Sequence, residues 1–303
     1  MSNKKLVPSL NQVDDLTLIH KQSLSKYTTF EVGGPATLFL IPDTISAAQE
    51  AFKIINHSDL PHLILGAGSN IVVSDEGFSG IVIYTGHLNQ VEIDDTTIRA
   101  QVGVLLSDLA QAAAKAGLSG LEFASGIPGS LGGALYMNAG AYGGEMREVV
   151  SEITVITPEG EKKTLDHSEI NLGYRQSILQ EKDYLAVEAT IELHKGVTEK
   201  IKDKIEELKD KRWNKQPMEM PSAGSMFKRP QDHYASALID EAGLKGTQVG
   251  DAQVSTKHAG FVVNLGSATA QDIKELVEVV KEKIYDEYQI KLETEPRFIG
   301  NFE

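Results

Sequence analysis

The chain has 303 residues, 29 basic against 43 acidic side chains for a net charge of −14, 41% hydrophobic and 24% charged residues, and no cysteine. Its length predicts two domains, its composition excludes a chain disordered throughout, and the missing cysteines exclude disulfides, thiolate metal sites and a cysteine nucleophile. The acidic balance argues against nucleic acid and anionic lipid as partners, and with no apolar run near the roughly 18 residues of a membrane span and no signal-peptide core, a cytoplasmic protein is expected.

In chain order, short apolar strands alternate with amphipathic helices, the pattern of an α/β or α+β fold. Ile45, Ala48, Phe52 and Ile55 recur at helical spacing behind Thr44 as a cap. Strands are expected at 63–65, 71–73 and 81–83, and a helix over 106–116 that Gly117 ends as a left-handed cap. A glycine-rich stretch comes next: nine of the 27 glycines fall between Gly117 and Gly144. Strands at 153–156 and 185–193 precede a charged helix over 197–212, in which Val197, Ile201, Ile205 and Leu208 form the apolar stripe. That helix is the best domain boundary. The remainder predicts a helix at 234–242, a strand at 260–264, and a helix from Asp272 to Tyr288 with a Thr269-x-x-Asp272 capping signal.

Two segments suit an anionic ligand. LGAGSN (65–70) follows a buried strand, and its glycines let several backbone N–H groups face one anion. It lacks both a full GxGxxG and a following lysine, which disfavours the standard Rossmann and Walker motifs. The stretch EFASGIPGSLGGALYMNAGAYGGEM (122–146) has low side-chain volume with Ser125, Ser130, Asn138 and Tyr142 interspersed, and it suits a backbone that wraps closely around an extended ligand and binds diphosphate through N–H donors. Its apolar Ile127, Leu131, Leu135, Tyr136 and Met137 argue against a flexible linker. A third segment, 211–229, carries Lys211, Arg212, Lys215, Lys228 and Arg229 against Glu219 alone, a local charge of +4 suited to a diphosphate.

Taken with YTTFEVGGPA (27–36), YRQS (174–177), PSAGSMFKRP (221–230), KHAGFVVN (257–264) and EPRFIG (295–300), these segments resemble, in order along nearly the whole chain, the UDP-N-acetylenolpyruvoylglucosamine reductases, the MurB family of bacterial cell-wall synthesis. The resemblance implies an α+β fold. An FAD-binding domain of the vanillyl-alcohol-oxidase (PCMH) type would cover 1–196 in two subdomains, about 1–85 and 86–196, with 296–303 returning to it. A linker helix would follow over 197–212, then a smaller α/β substrate domain over 213–295. It also implies non-covalent FAD, NADPH as reductant, a nucleotide-sugar substrate and a monomer. Cofactor contacts carried over are Gly66, Ala67, Gly68, Ser69, Asn70, Ser125, Gly126, Pro128, Gly129, Ser130, Gly133 and Gly140.

The implied reaction reduces an enolpyruvyl ether to a lactyl ether. Hydride delivered to the terminal carbon leaves carbanion character beside the carboxylate, so the site needs a cation there and an acid for the adjacent carbon. By resemblance Arg175 is that cation, Ser225 the proton donor, and Glu295 the carboxylate that assists enol formation or protonation. Tyr174, Lys215 and Lys228 match substrate contacts, and Arg229 stands where other members have asparagine. No metal is implied. For His258 a structural hydrogen bond is expected, and for Arg297 packing, a carboxylate partner or an approach to the flavin. Some members carry an extra tyrosine-bearing loop after the YRQS-like segment; only fifty positions separate Arg175 from Ser225, so the chain resembles the shorter, second type. The rival readings are an FAD oxidase of the same fold and a nucleotide-sugar binding protein without turnover.

Overall fold

The computed structural model describes residues 3–302. It divides into two compact units. One comprises the chain through His20, Leu38–Ala67 and Gly80–Asp210; the other comprises Lys21–Thr37, Gly68–Ser79 and the chain from Lys211 onward. The partition is interleaved: 21–37 and 68–79 count with the second unit, and so does 296–302, which the resemblance returns to the first domain.

The first unit is built on two sheets. The four-stranded sheet has the order Leu16–Ser23, Pro35–Pro42, Phe78–Tyr84, His62–Leu65, the last two strands running parallel with Leu65 opposite Tyr84. Helix Ile45–Asn56 connects two of these strands; Thr44 caps it by accepting from the Ala47 N–H, and Ala48, Ala51, Phe52 and Ile55 are buried. The second sheet has the antiparallel order Lys162–Asp166, Val150–Ile156, Leu185–Glu192, Thr97–Gln101, Val91–Asp94. One apolar core runs through both sheets, from Leu38, Leu40 and Phe52 to Ile98, Ile153 and Val187. Each such side chain contributes about 1.5–3 kcal/mol on burial.

The glycine-rich stretch differs from the wrapping coil expected of it. It contains helix Leu131–Met137 and a small hairpin, Gly140–Ala141 with Gly144–Glu145. Two glycines inside a helix cost about 1 kcal/mol each relative to alanine, but Ser130 caps the helix and Leu131, Ala134 and Leu135 bury one face of it. Tertiary burial overrides weak propensity here. The charged helix runs Thr198–Lys215 and buries Ile201, Ile205 and Leu208, while Val197 precedes it and is exposed, so Val197 is not part of the stripe.

The second unit has its own core, in which Phe30, Val32 and Val72 pack with Met226, Phe227, Val262, Leu276 and Val280. Its antiparallel sheet has the order Gln248–Val249, Ala252–Val254, Val262–Asn264. Helix Ala270–Tyr288 starts on the expected capping box of Thr269 and Asp272. The Asp75 carboxylate adds to it, accepting from the Ala270 and Gln271 N–H groups at 2.9 and 3.0 Å. An acid at a helix N-terminus satisfies orphan donors and meets the dipole, which explains why 68–79 belongs with this unit. Strands Ile71–Val73 and Arg297–Ile299 pair in parallel. The buried Asn264 donates its side-chain amide to the Phe30 carbonyl at 3.1 Å, fastening 21–37 to the same body.

Candidate active site

In the first unit, strand His62–Leu65 leads straight into Gly66. A Cβ at Gly66 would collide with the Ser130 hydroxyl, so glycine is required by packing alone. Ser130 is buried and caps Leu131–Met137, its oxygen accepting from the Gly133 N–H at 3.4 Å. The Leu131 and Gly132 N–H groups donate to the carbonyls of Val104 and Val102, both at 2.8 Å. The Leu131, Gly132 and Gly133 N–H groups of this helix are thus spent within the protein. The donors left over lie elsewhere: among the described residues, the N–H groups of Gly66, Ala67, Gly129 and Ser130 meet no protein acceptor.

A Cβ at Gly133 would have no neighbour nearer than the Ser130 oxygen at 3.7 Å, so protein packing does not demand glycine there. Gly129 lies beside it, its carbonyl accepting from the Leu106 N–H, and Pro128 is exposed. Ser125 donates to the Glu122 carbonyl at 2.8 Å, and Gly126 follows it. The charge of Glu122 is absorbed locally, by the Ser119 hydroxyl at 2.6 Å and the Gly120 N–H at 2.8 Å. Gly140 opens the hairpin, where a Cβ would crowd the Gly144 carbonyl and Glu145; the tip residues Tyr142 and Gly143 both have positive φ. N–H donors without a protein acceptor among the described residues, beside a glycine without a packing reason, leave room for a dinucleotide cofactor.

Tyr174 and Arg175 are the central residues of a tight turn in the same unit. Gly173 and Gln176 exchange both backbone hydrogen bonds, at 3.0 and 3.2 Å. Arg175 has φ of +55°, in a turn position that normally takes glycine or asparagine because a side chain there costs about 1–2 kcal/mol. Its Nε is shut off from solvent, its guanidinium lies 5.4 Å from the Tyr174 ring centroid, and Tyr174 itself is 62% exposed. The turn thus places a strained arginine beside an exposed aromatic ring.

In the second unit the structure brings Asn70, Ser225 and Glu295 onto neighbouring backbone segments. Ser225 bridges Phe261, and the Met226 N–H donates to the Gly260 carbonyl at 2.8 Å. On the other side the Glu295 N–H donates to Met226 at 3.0 Å and the Lys228 N–H to Glu293 at 2.9 Å. Ser225 is exposed and Glu295 half-buried. The Asn70 carbonyl accepts from the Arg297 N–H at 3.0 Å, and its side-chain amide approaches the Glu295 carbonyl at 3.5 Å. Gly68 has φ of +63°, a Cβ on it would run into the Tyr27 carbonyl, and its own carbonyl accepts from Thr29. Thr29 in turn donates its hydroxyl to Ser222 at 2.6 Å, just ahead of Ser225. The Gly68, Ser69 and Asn70 N–H groups donate to no acceptor among the described residues.

The cations of the second unit differ in how far they are committed. Lys215 ends helix Thr198–Lys215 and is exposed. Lys228 pairs with Glu293 at 3.3 Å, an exposed pair worth about 0–1 kcal/mol that a doubly charged diphosphate can displace. Arg229 lies 4.1 Å over the Tyr234 ring, and Arg212 has a buried Nε. His258 accepts the Gly260 N–H on Nδ1 at 3.1 Å, and burial lowers its pKa, with a backbone hydrogen bond and Asp240 opposing the shift and Lys245 adding to it. Among the described residues no cluster of potential metal ligands occurs and no helix is long and apolar enough to cross a membrane. Sequence reasoning passed over Thr29 and Gln180, and it read Asn138 as one of the polar groups suited to a ligand. Asn138 is instead 2% exposed and faces inward.

Comparison with known proteins agrees with this layout. A profile of the FAD binding domain matches residues 36–166, and one of the UDP-N-acetylenolpyruvoylglucosamine reductase C-terminal domain matches 216–299. The class so defined is a flavin-dependent oxidoreductase with a PCMH-type FAD-binding domain in an α+β fold. UDP-N-acetylenolpyruvoylglucosamine reductases of Alkaliphilus oremlandii and Clostridium novyi are 42% and 44% identical to the chain, over 99% and 98% of it and 99% and 96% of their own lengths. The crystal structure of the Thermus caldophilus reductase superposes with a TM-score of 0.80 at 36% identity, covering 94% of this chain and 99% of that one. The chain belongs to the UDP-N-acetylenolpyruvoylglucosamine reductase (MurB) family.

Proposed function

We propose that this chain reduces UDP-N-acetylglucosamine enolpyruvate to UDP-N-acetylmuramate for peptidoglycan precursor synthesis, with NADPH as the electron source, as a cytoplasmic monomer. Family membership over the full length of the chain carries the reading. When bound, non-covalent FAD would supply the hydride chemistry that links NADPH to the enolpyruvyl group. Backbone N–H groups of Gly66, Ala67, Gly68, Ser69, Asn70, Gly129 and Ser130, with Ser125, Gly126, Pro128, Gly133 and Gly140 alongside, would hold it.

The balance is simple. The CH₂=C(OR)–COO⁻ group gains a hydride at its terminal carbon and a proton at the adjacent carbon, NADPH loses the hydride, and the product is CH₃–CH(OR)–COO⁻. As hydride arrives, charge builds toward the carboxylate. Arg175 meets it with a planar donor fork whose charge never titrates away. Ser225 gives its hydroxyl proton to the adjacent carbon and is resupplied from water, and Glu295, on the neighbouring segment, supports that transfer. Tyr174 packs on the substrate, and Lys215 and Lys228 engage its diphosphate. A weakly acidic serine suffices because the acceptor is a strongly basic carbon.

The test is anaerobic. The purified protein is expected to be yellow, its flavin absorbance to bleach on NADPH and to recover when the enolpyruvyl nucleotide sugar is added. Bleaching without recovery, together with oxygen consumption on a hydroxylated substrate, would assign an oxidase instead. Colourless protein that FAD does not reconstitute would leave only a binding protein.

A further inference from the structure

Arg175 works only if its turn is held, and the hold converges on the helix Leu131–Met137. The geometry points to Asn138, seconded by Gln180, as a positioning residue for Arg175; this inference rests on the carboxylate-binding role given to Arg175 above. Asn138 is 2% exposed and so touches no ligand. It ends the helix in the left-handed conformation, φ 43° and ψ 57°. Its side-chain amide donates to the Gly173 carbonyl and to the Glu145 carboxylate, both at 3.1 Å, and its side-chain oxygen accepts from the Arg147 N–H at 2.9 Å.

Gly173 is the first residue of the Arg175 turn. The far side of that turn is fastened to the same helix end: the buried Ser177 hydroxyl and the Gln180 amide both donate to the Tyr136 carbonyl, at 2.9 and 2.6 Å. Gln180 also donates to the Arg175 carbonyl at 2.9 Å. A strained φ persists only where the surroundings over-determine it, and these bonds supply that constraint. Capping alone does not explain the residue type, because glycine serves a left-handed helix end as well or better. Only a carboxamide offers two donors and an acceptor in this arrangement. Aspartate would keep the shape but set an acceptor against the Gly173 carbonyl and the Glu145 carboxylate.

The experiment is a mutant cycle on the FAD-loaded enzyme with Asn138→Gly, Asn138→Asp, Gln180→Ala, Arg175→Ala and the doubles. Gln180 is exposed, so its variant folds even if a change at Asn138 is too costly. The expected result is a fall in flavin re-oxidation by substrate of about ten- to hundredfold for Asn138→Gly and about threefold for Gln180→Ala, since small misplacements of a positioned group cost on that order. Flavin reduction by NADPH is unchanged, and amide hydrogen exchange at 173–176 accelerates. In the Arg175→Ala background either change adds less than about twofold, because the group it positions is gone. Full multiplicative losses in that background, or exchange at 173–176 left unchanged, would overturn the positioning role while leaving Arg175 in place. Unchanged substrate reduction in Arg175→Ala alone would instead overturn the role of Arg175.

Discussion

Two regions of the molecule offer an anion different groups. In the first unit, Gly66, Gly129 and Ser130 keep backbone N–H groups that meet no acceptor among the described residues, the Glu122 carboxylate is hydrogen-bonded by Ser119 and Gly120, and a Cβ at Gly66 meets Ser130. Around Ser225 in the second unit, where Gly68, Ser69 and Asn70 also keep open N–H groups, cationic side chains are added. Lys228 leans on Glu293, Arg229 on Tyr234, and Lys257 on Glu219 at 3.2 Å. A permanent cofactor can be met by fixed dipoles that need no rearrangement. A substrate that must arrive and leave is better served by exposed cations with weak partners that it displaces.

This contrast has consequences at particular residues. The largest effect separates activity from stability: Arg175→Gly relieves the positive φ while removing the guanidinium, so kcat/KM for the enolpyruvyl substrate should fall about 10²–10³-fold with the unfolding free energy within about 1 kcal/mol of the parent. Steady-state kinetics beside a denaturant titration reads both. At Gly68 the outcome is the reverse. Gly68→Ala puts a Cβ against the Tyr27 carbonyl at positive φ and should cost about 3 kcal/mol or more in stability, visible as a lowered midpoint before any assay of turnover.

Gly66→Ala sharpens the backbone half of the comparison, because the atom it meets is removable. It should destabilise by about 1–3 kcal/mol and weaken FAD retention, and Ser130→Ala in the same chain should recover part of that loss despite sacrificing a cap worth about 1 kcal/mol. Flavin content after gel filtration reads the rescue. The smallest effect is at His258. Its pKa is lowered in the fold, so its contribution is fully present above the unfolded value of about 6.5 and is lost as pH falls through the folded value, where the unfolded chain takes up the proton first. His258→Gln, which keeps an acceptor for the Gly260 N–H, should flatten stability between pH 7 and pH 5.

Helices Ile45–Asn56 and Ala270–Tyr288 were legible in the sequence because cap and apolar period agree in each. Helix Leu131–Met137 was not, since its two glycines hide a helix that exists through burial of Leu131, Ala134 and Leu135. The interleaving of the units was hidden for another reason: Asp75 caps a helix that starts at residue 270, and Asn264 reaches Phe30, contacts that leave no local pattern. At the site, the motifs drew attention to Arg175, Ser225 and Glu295 as chemistry-bearing types. The strain at Arg175 and the bonds from Asn138 and Gln180 that hold its turn arise from tertiary structure, and no spacing rule encodes them.

Whether Ser225 protonates the substrate after hydride transfer and takes no part in reduction of the cofactor is decided by stopped-flow spectroscopy of Ser225→Ala. Flavin bleaching by NADPH should proceed at the parent rate, and re-oxidation by the enolpyruvyl nucleotide sugar should slow about 10²–10⁴-fold, the range expected for loss of a general acid. Equal slowing of both half-reactions, or re-oxidation at the parent rate, would contradict that role for Ser225.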